Sequence, residues 1–414
     1  MKHIKKIIKY FLYRPKRIVW KKKNALLHND IKVVFLVQYP ETWNSMKTVY
    51  ESMVLNKDSE TVIFCIPKPK QSIKTEVYVP SEKNEAYDFF SSQGIPCVNA
   101  YTDNTWLDLE KIKPHYVIYT RPYNAQYPDL YKSTYVCGFA KTCYLPYAFN
   151  MLDTMFYTTY HPQFISSMYL SFIPCNSRYK MCKEEYYYHE KFGTCKFLDQ
   201  GFPRFDLLKS ELKRSEDRFC VLWMPRWASD NNTSNKQSGF LKYSKSLLEF
   251  AKKNIDKDFV IRPHPLMFSA FITNGIMTQE QVDDFFEQCD MCGNVYIDTQ
   301  KDYLPVIRRA DVLVADYTSL LMEFFVTKKP IIYCDDASGL NTEAQKMNSV
   351  LYHADTSVEI EELIKRLCEG EDELLSDRSK VISELLPVEA GKIGYNIANY
   401  ILEDIRKGIN YESI

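Results

Sequence analysis

The segment Val260-Ile261-Arg262-Pro263-His264-Pro265 carries an apolar run into two prolines. Proline lacks the N–H that a sheet ladder requires, so a buried strand must end there. In open α/β sheets, ligands bind beyond the carboxyl ends of strands, which is where Arg262 and His264 fall. Arginine presents a rigid fork of donors that matches phosphate oxygens. Histidine can donate a hydrogen bond or a proton to a leaving phosphate. A second such place is Val312-Leu313-Val314-Ala315-Asp316-Tyr317-Thr318-Ser319. Its spacing predicts a strand that passes into a helix over Ser319–Thr327, with Thr318 or Ser319 as N-cap. A helix N-terminus offers unpaired N–H groups to an anion, and the two hydroxyls add donors. Asp316 would repel a phosphate, so its expected work is to orient a neighbour or hold the turn. Each turn alone also fits an ordinary capped connection. Their occurrence together at strand ends of one domain makes a phosphate-binding site the expectation.

The elements that must position these residues are legible as short apolar runs between helical patterns. Strands are expected at Ile31–Tyr39, Thr61–Pro67, Pro96–Ala100, His115–Arg121, Thr142–Tyr147, Phe172–Asn176 and Lys196–Gly201. A second set is expected at Phe219–Pro225, Phe259–Arg262, Val295–Asp298, Val312–Ala315, Ile331–Cys334 and Val350–His353. Continuous apolar strands alternating with helices imply parallel sheets covered on both faces. The expected fold is α/β, with two Rossmann-like domains whose parallel sheets face a cleft. The expected boundaries are a basic segment at 1–29, a domain at 30–205, and a domain at 206–414 that ends in a closing helix. The polar stretch Ala228–Ser238 is expected to be a mobile loop.

The 414 residues hold 53 basic and 53 acidic side chains, a balance that argues against a nucleic-acid binder. Residues 1–23 contain ten Lys or Arg and no acid. There Ile4, Ile7, Ile8, Phe11 and Leu12 recur at helical spacing among the lysines. That pattern predicts an amphipathic helix lying on an anionic membrane surface. No apolar run reaches the length of about 18 residues expected of a membrane-spanning helix. The twelve cysteines are scattered and read as buried thiols. Cys289 and Cys292 lack the second pair or histidines of a zinc site, and no metal site is expected. His189, in a Tyr-rich charged segment, is expected on a helix surface.

The combination of Arg262-Pro263-His264-Pro265 with Asp316-Tyr317-Thr318-Ser319 resembles the R-x-H-P and D-Y-[ST]-S turns of the CDP-glycerol glycerophosphotransferase family. The family's G-x-P-R-x-D mark is matched by Gly201-Phe202-Pro203-Arg204-Phe205-Asp206, and its P-T-W strand end partly by Met224-Pro225-Arg226-Trp227. The resemblance spans residues 115–385 and is strongest over 196–336. It implies a GT-B-like fold with a CDP-alcohol donor held in the C-terminal domain by Arg262, Thr318, Ser319, Pro225 and Arg226. It implies His264 and Asp316 among the catalytic residues, CMP as the leaving group, and no required cofactor. It also implies a lipid-linked glycan or polyol-phosphate acceptor and attachment to the inner membrane face. The W-H-G-T-P histidine of many members is missing: the corresponding stretch reads Cys143-Tyr144-Leu145-Pro146-Tyr147-Ala148-Phe149. Tyr147, Asp153 and His161 are the candidates for the acceptor base. A nucleotide-sugar glycosyltransferase and a non-catalytic donor-binding scaffold are the competing expectations.

Overall fold

The computed structural model describes residues 2–21, 30–70, 78–208, 218–227, 238–335, 339–386 and 390–410. The expected mobile loop lies outside these except for Ser238. The chain forms two compact units, Met1–Leu207 with Leu385–Ile414, and Leu208–Glu384.

In the first unit the strands are β1 (Ile31–Val37), β2 (Ser59–Cys65), β3 (Cys97–Asn99), the short pair β4 (Tyr101–Thr102) and β5 (Thr105–Trp106), β6 (Tyr116–Tyr119), β7 (Lys141–Tyr144), β8 (Leu170–Ile173) and β9 (Lys196–Asp199). The main sheet is parallel, in the order β3-β2-β1-β6-β7-β8-β9. Its central strands read as unbroken apolar runs because both faces are covered; Val33, Val34, Phe35, Leu36 and Val37 are all fully buried. The hairpin β4–β5 was not expected. Its signal is Asp103-Asn104, whose φ values of 51° and 58° suit a two-residue primed turn.

In the second unit the strands are β10 (Cys220–Met224), β11 (Asp258–Ile261), β12 (Val295–Ile297), β13 (Val312–Ala315), β14 (Ile331–Tyr333) and β15 (Tyr352–His353). They form a parallel sheet ordered β12-β11-β10-β13-β14-β15. In each sheet the order grows one way from the first strand and then the other way, the doubly wound pattern.

Two expectations are corrected. The last helix, Ile393–Asn410, belongs to the first unit rather than closing the second. Asp206 anchors its start by accepting the N–H groups of Gly391, Ile393 (3.2 Å) and Gly394 (2.7 Å). Gly201 has a φ of +84°, and Ile393 lies against its α-carbon, so a side chain there would be both strained and crowded. The G-x-P-R-x-D mark is thus a clamp on this helix. His189 is buried, not on the surface. Its ring lies 4.7 Å from that of Tyr10, near Ser166 and Thr194, and burial lowers its pKa to about 4. Tyr10 thereby seats the N-terminal helix Lys2–Tyr13, with Lys9 paired to Glu185.

Candidate functional site

The second sheet changes direction between β10 and β13, and the residues just past those strands are Pro225-Arg226 and Asp316. Such switch points are where doubly wound sheets bind ligands. Asp316 is almost fully buried and accepts the backbone N–H of Arg226 at 3.1 Å and of Gly239 at 2.8 Å. It therefore holds two loops together. Gly239 is required by that approach, because a β-carbon there would run into the Asp316 carboxylate. The Arg226 guanidinium is turned to Asp335 at 2.8 Å. Ser238, Gly239, Lys242, Tyr243, Asp316, Cys334 and Asp335 line an open cavity of about 410 Å³.

Burial raises the Asp316 pKa to about 6, although the two backbone N–H groups pull the other way. A carboxyl whose folded pKa lies above its unfolded value stabilises the fold most when protonated. That contribution is complete below the ordinary value of 3.8 and is lost as pH rises through about 6. Relative to Asp316→Asn, the wild type should lose about 3 kcal/mol across this window. Denaturant unfolding of both proteins at a series of pH values checks this; a difference curve without slope would contradict it.

At the end of β11, Arg262 does not stand free. It pairs with Asp298 and donates to the carbonyl of Gln300 at 2.9 Å, with its cation 5.7 Å from the Tyr303 ring. This fixes one edge of the guanidinium and leaves its other donors for a ligand. His264 is exposed, with its ring 5.9 Å from that of Trp227. Its Nδ1 accepts the N–H of Leu266 at 3.2 Å, and desolvation holds its pKa below the ordinary histidine value. The neutral ring therefore carries its proton on Nε2, as a hydrogen-bond donor.

The Asp316–Ser319 turn departs from expectation. The helix starts at Leu321 and runs only to Phe325, with no side-chain cap. The Thr318 hydroxyl instead accepts the N–H of Leu320 at 3.3 Å, while Ser319 is exposed. Leu321, Met322, Phe324 and Phe325 are fully buried, so packing rather than capping sets where this helix begins. Sequence reasoning also missed Gly239, Asp298 and Asp335. Their roles are pairings across 77, 36 and 109 positions, which no local pattern reveals.

In the first unit, Tyr147 shares a hydroxyl–hydroxyl hydrogen bond of 3.1 Å with Tyr123. Asp153 is an exposed carboxylate 3.5 Å from buried Arg178. His161 is exposed, directly ahead of the short helix Pro162–Ile165. Cys289 and Cys292 are buried, and burial pushes the Cys289 thiol up to about 12. Among the described residues, no three metal-ligating side chains cluster.

Three comparisons bear on this site. The minor teichoic acid biosynthesis protein GgaB of Bacillus subtilis (strain 168) is 29% identical over 152 residues, 32% of this chain and 15% of GgaB. The chain therefore spans about one seventh of that relative's length. The structure of the wall teichoic acid polymerase TagF superposes with a TM-score of 0.56 at 14% identity, covering 99% of this chain and 97% of that one. UDP-GlcNAc 2-epimerase from Neisseria meningitidis, bound to UDP-GlcNAc, gives a TM-score of 0.56 at 14% identity, covering 91% and 100%. These likenesses establish a GT-B-like fold class. The sequence profile of CDP-glycerol:poly(glycerophosphate) glycerophosphotransferases matches residues 175–402, which take in all of β10–β15 and the turns described above, and the chain belongs to this family.

Proposed function

We propose that the protein transfers glycerol phosphate, or a similar polyol phosphate, from a CDP-alcohol to a hydroxyl of a lipid-linked or glycan acceptor. CMP is released, and the product serves a bacterial cell-envelope or capsule polymer. The observation that carries this reading is the coincidence of the family match with the switch point of the second sheet, where Arg226, Asp316 and Gly239 converge.

The acceptor oxygen attacks the phosphorus that bears the glycerol. A new P–O bond forms, the bond to the bridging oxygen breaks, and the electron pair leaves on CMP. Nε2–H of His264 donates to that departing phosphate, and Arg262, Arg226, Thr318 and Ser319 offset the charge on the diphosphate. The acceptor proton goes to a base among Tyr147, Asp153 and His161, of which Asp153 is already paired with Arg178. No metal or cofactor is invoked. CDP-glycerol, CDP-ribitol, UDP-sugars and GDP-sugars are to be compared as stabilisers of the purified chain. At a concentration of about 100 times Kd, the true donor should add about 2.7 kcal/mol. Stabilisation by UDP- or GDP-sugars alone would favour a glycosyltransferase. Binding of CDP-glycerol without CMP release in a single turnover with acceptor would favour a scaffold.

The protein is placed peripherally at the inner membrane face, through its N-terminal helix. Ile4, Ile8, Phe11 and Leu12 are each about 60–70% exposed along one stripe, whereas Tyr10 is buried. An outward apolar stripe among lysines suits anionic lipid. The double substitution Ile8→Glu and Phe11→Glu should lower binding to anionic liposomes about tenfold or more at low salt, without changing stability. Unchanged flotation would count against this placement.

A further inference from the structure

The seven-stranded sheet changes direction between β1 and β6. The residues just past those strands are Gln38-Tyr39 and Thr120-Arg121. The first unit therefore has its own switch point, and an arginine stands on it. The Arg121 guanidinium lies 3.8 Å from the centre of the Tyr39 ring and 5.2 Å from that of Tyr123. Its Nη1 donates to Oε1 of Gln38 at 3.2 Å. Gln38 is buried and cannot turn away, because its Nε2 donates to the Gln126 carbonyl at 2.8 Å, with the Pro67 carbonyl 3.2 Å away.

Among the described residues no carboxylate pairs with Arg121. The nearby cation Lys68, 4.9 Å from the Tyr39 ring, is by contrast neutralised by Glu41 and Glu85. A guanidinium held by aromatic rings and one neutral amide keeps its charge and most of its donor fork available. Fixing it there without a counter-charge suits an anion that arrives with a ligand. The fork matches the oxygens of a phosphate, and the Tyr123–Tyr147 hydroxyl pair adds polar groups that match a polyol.

We propose that Arg121, with Tyr39, Tyr123 and Tyr147, binds a phosphodiester of the acceptor and positions the polyol hydroxyl next to it. This rests on the transfer reading above and assigns Tyr147 to acceptor positioning. The probe is glycerophosphoglycerol, titrated into the full chain by calorimetry, with inorganic phosphate and CDP-glycerol titrated separately. Arg121→Gln should weaken glycerophosphoglycerol binding at least about tenfold. Arg121→Lys, which keeps the charge and lacks the fork, should weaken it less. CDP-glycerol affinity should be unchanged in both variants, which also certifies that they fold. The proposal is overturned by undetectable binding of glycerophosphoglycerol to the wild type, by equal binding in Arg121→Gln, or by inorganic phosphate binding as tightly as the diester. Failure of CDP-glycerol to bind the wild type would instead sink the transfer reading, while a loss of diester binding in Arg121→Gln would still identify the anion site.

Discussion

His264→Ala is expected to lower the rate of CMP release from CDP-glycerol by about 100-fold or more, the usual scale of a lost hydrogen-bond donor to developing charge. The side chain is exposed, and its Nδ1 only receives the N–H of Leu266. Removing it should therefore leave the melting temperature almost unchanged. Desolvation keeps the ring neutral near pH 7, so the loss should appear at that pH rather than only in acid. It should fall mainly on kcat, because the donated hydrogen bond matters most as charge builds on the departing phosphate. His264→Gln keeps a hydrogen-bond donor of different reach and should retain part of the activity. Turnover of His264→Ala equal to wild type would remove His264 from the mechanism.

Asp404→Ala should be strongly destabilising, at about 2–4 kcal/mol, because it removes the counter-charge of half-buried Lys141 and the acceptor of two tyrosine hydroxyls. Asp404 lies on the helix Ile393–Asn410 and receives Lys141 at 2.5 Å, Tyr116 at 2.6 Å and Tyr169 at 3.1 Å, with Lys196 at 3.6 Å. Tyr116, Lys141 and Lys196 open β6, β7 and β9, so one carboxylate ties the helix to three strand starts. Burial alone would raise its pKa, but Lys141, Tyr116 and Lys196 overcome that and hold it below the ordinary 3.8. A lowered acid pKa contributes stability that is complete above the unfolded value and is lost as pH falls through the folded one. The gap between wild type and Asp404→Ala should thus be constant at neutral pH and shrink below about pH 4. Urea unfolding at pH 7 and pH 3 measures it; a cost under about 1 kcal/mol at pH 7 would show that the network does not secure the helix.

Much of the second unit was legible because buried parallel strands carry their own signal. Val312–Ala315 is four apolar residues ending at an aspartate, and Asp258–Ile261 ends where prolines forbid a ladder. The expected helix over Ser319–Thr327 shrank to Leu321–Phe325, since buried Leu321 and Phe325 decided its limits and the Thr318 hydroxyl was used in a turn. His189 misled for a related reason. Its neighbours Tyr187, Tyr188 and Glu190 look like a surface, yet the helix Lys2–Tyr13 covers it with Tyr10.

By itself the sequence determined two parallel α/β sheets, the family, and the strand ends where Arg262, His264 and Asp316 stand. These follow from local physics: apolar runs, prolines that end ladders, and short motifs. Only the tertiary structure decided that Asp316 serves Gly239 and Arg226, that Arg262 is held by Asp298, and that the last helix returns to the first unit under Asp206 and Asp404. Each is a pairing between residues far apart along the chain. A carboxylate's partner is set by which loops the strand order brings beside it, and local pattern contains no term for that.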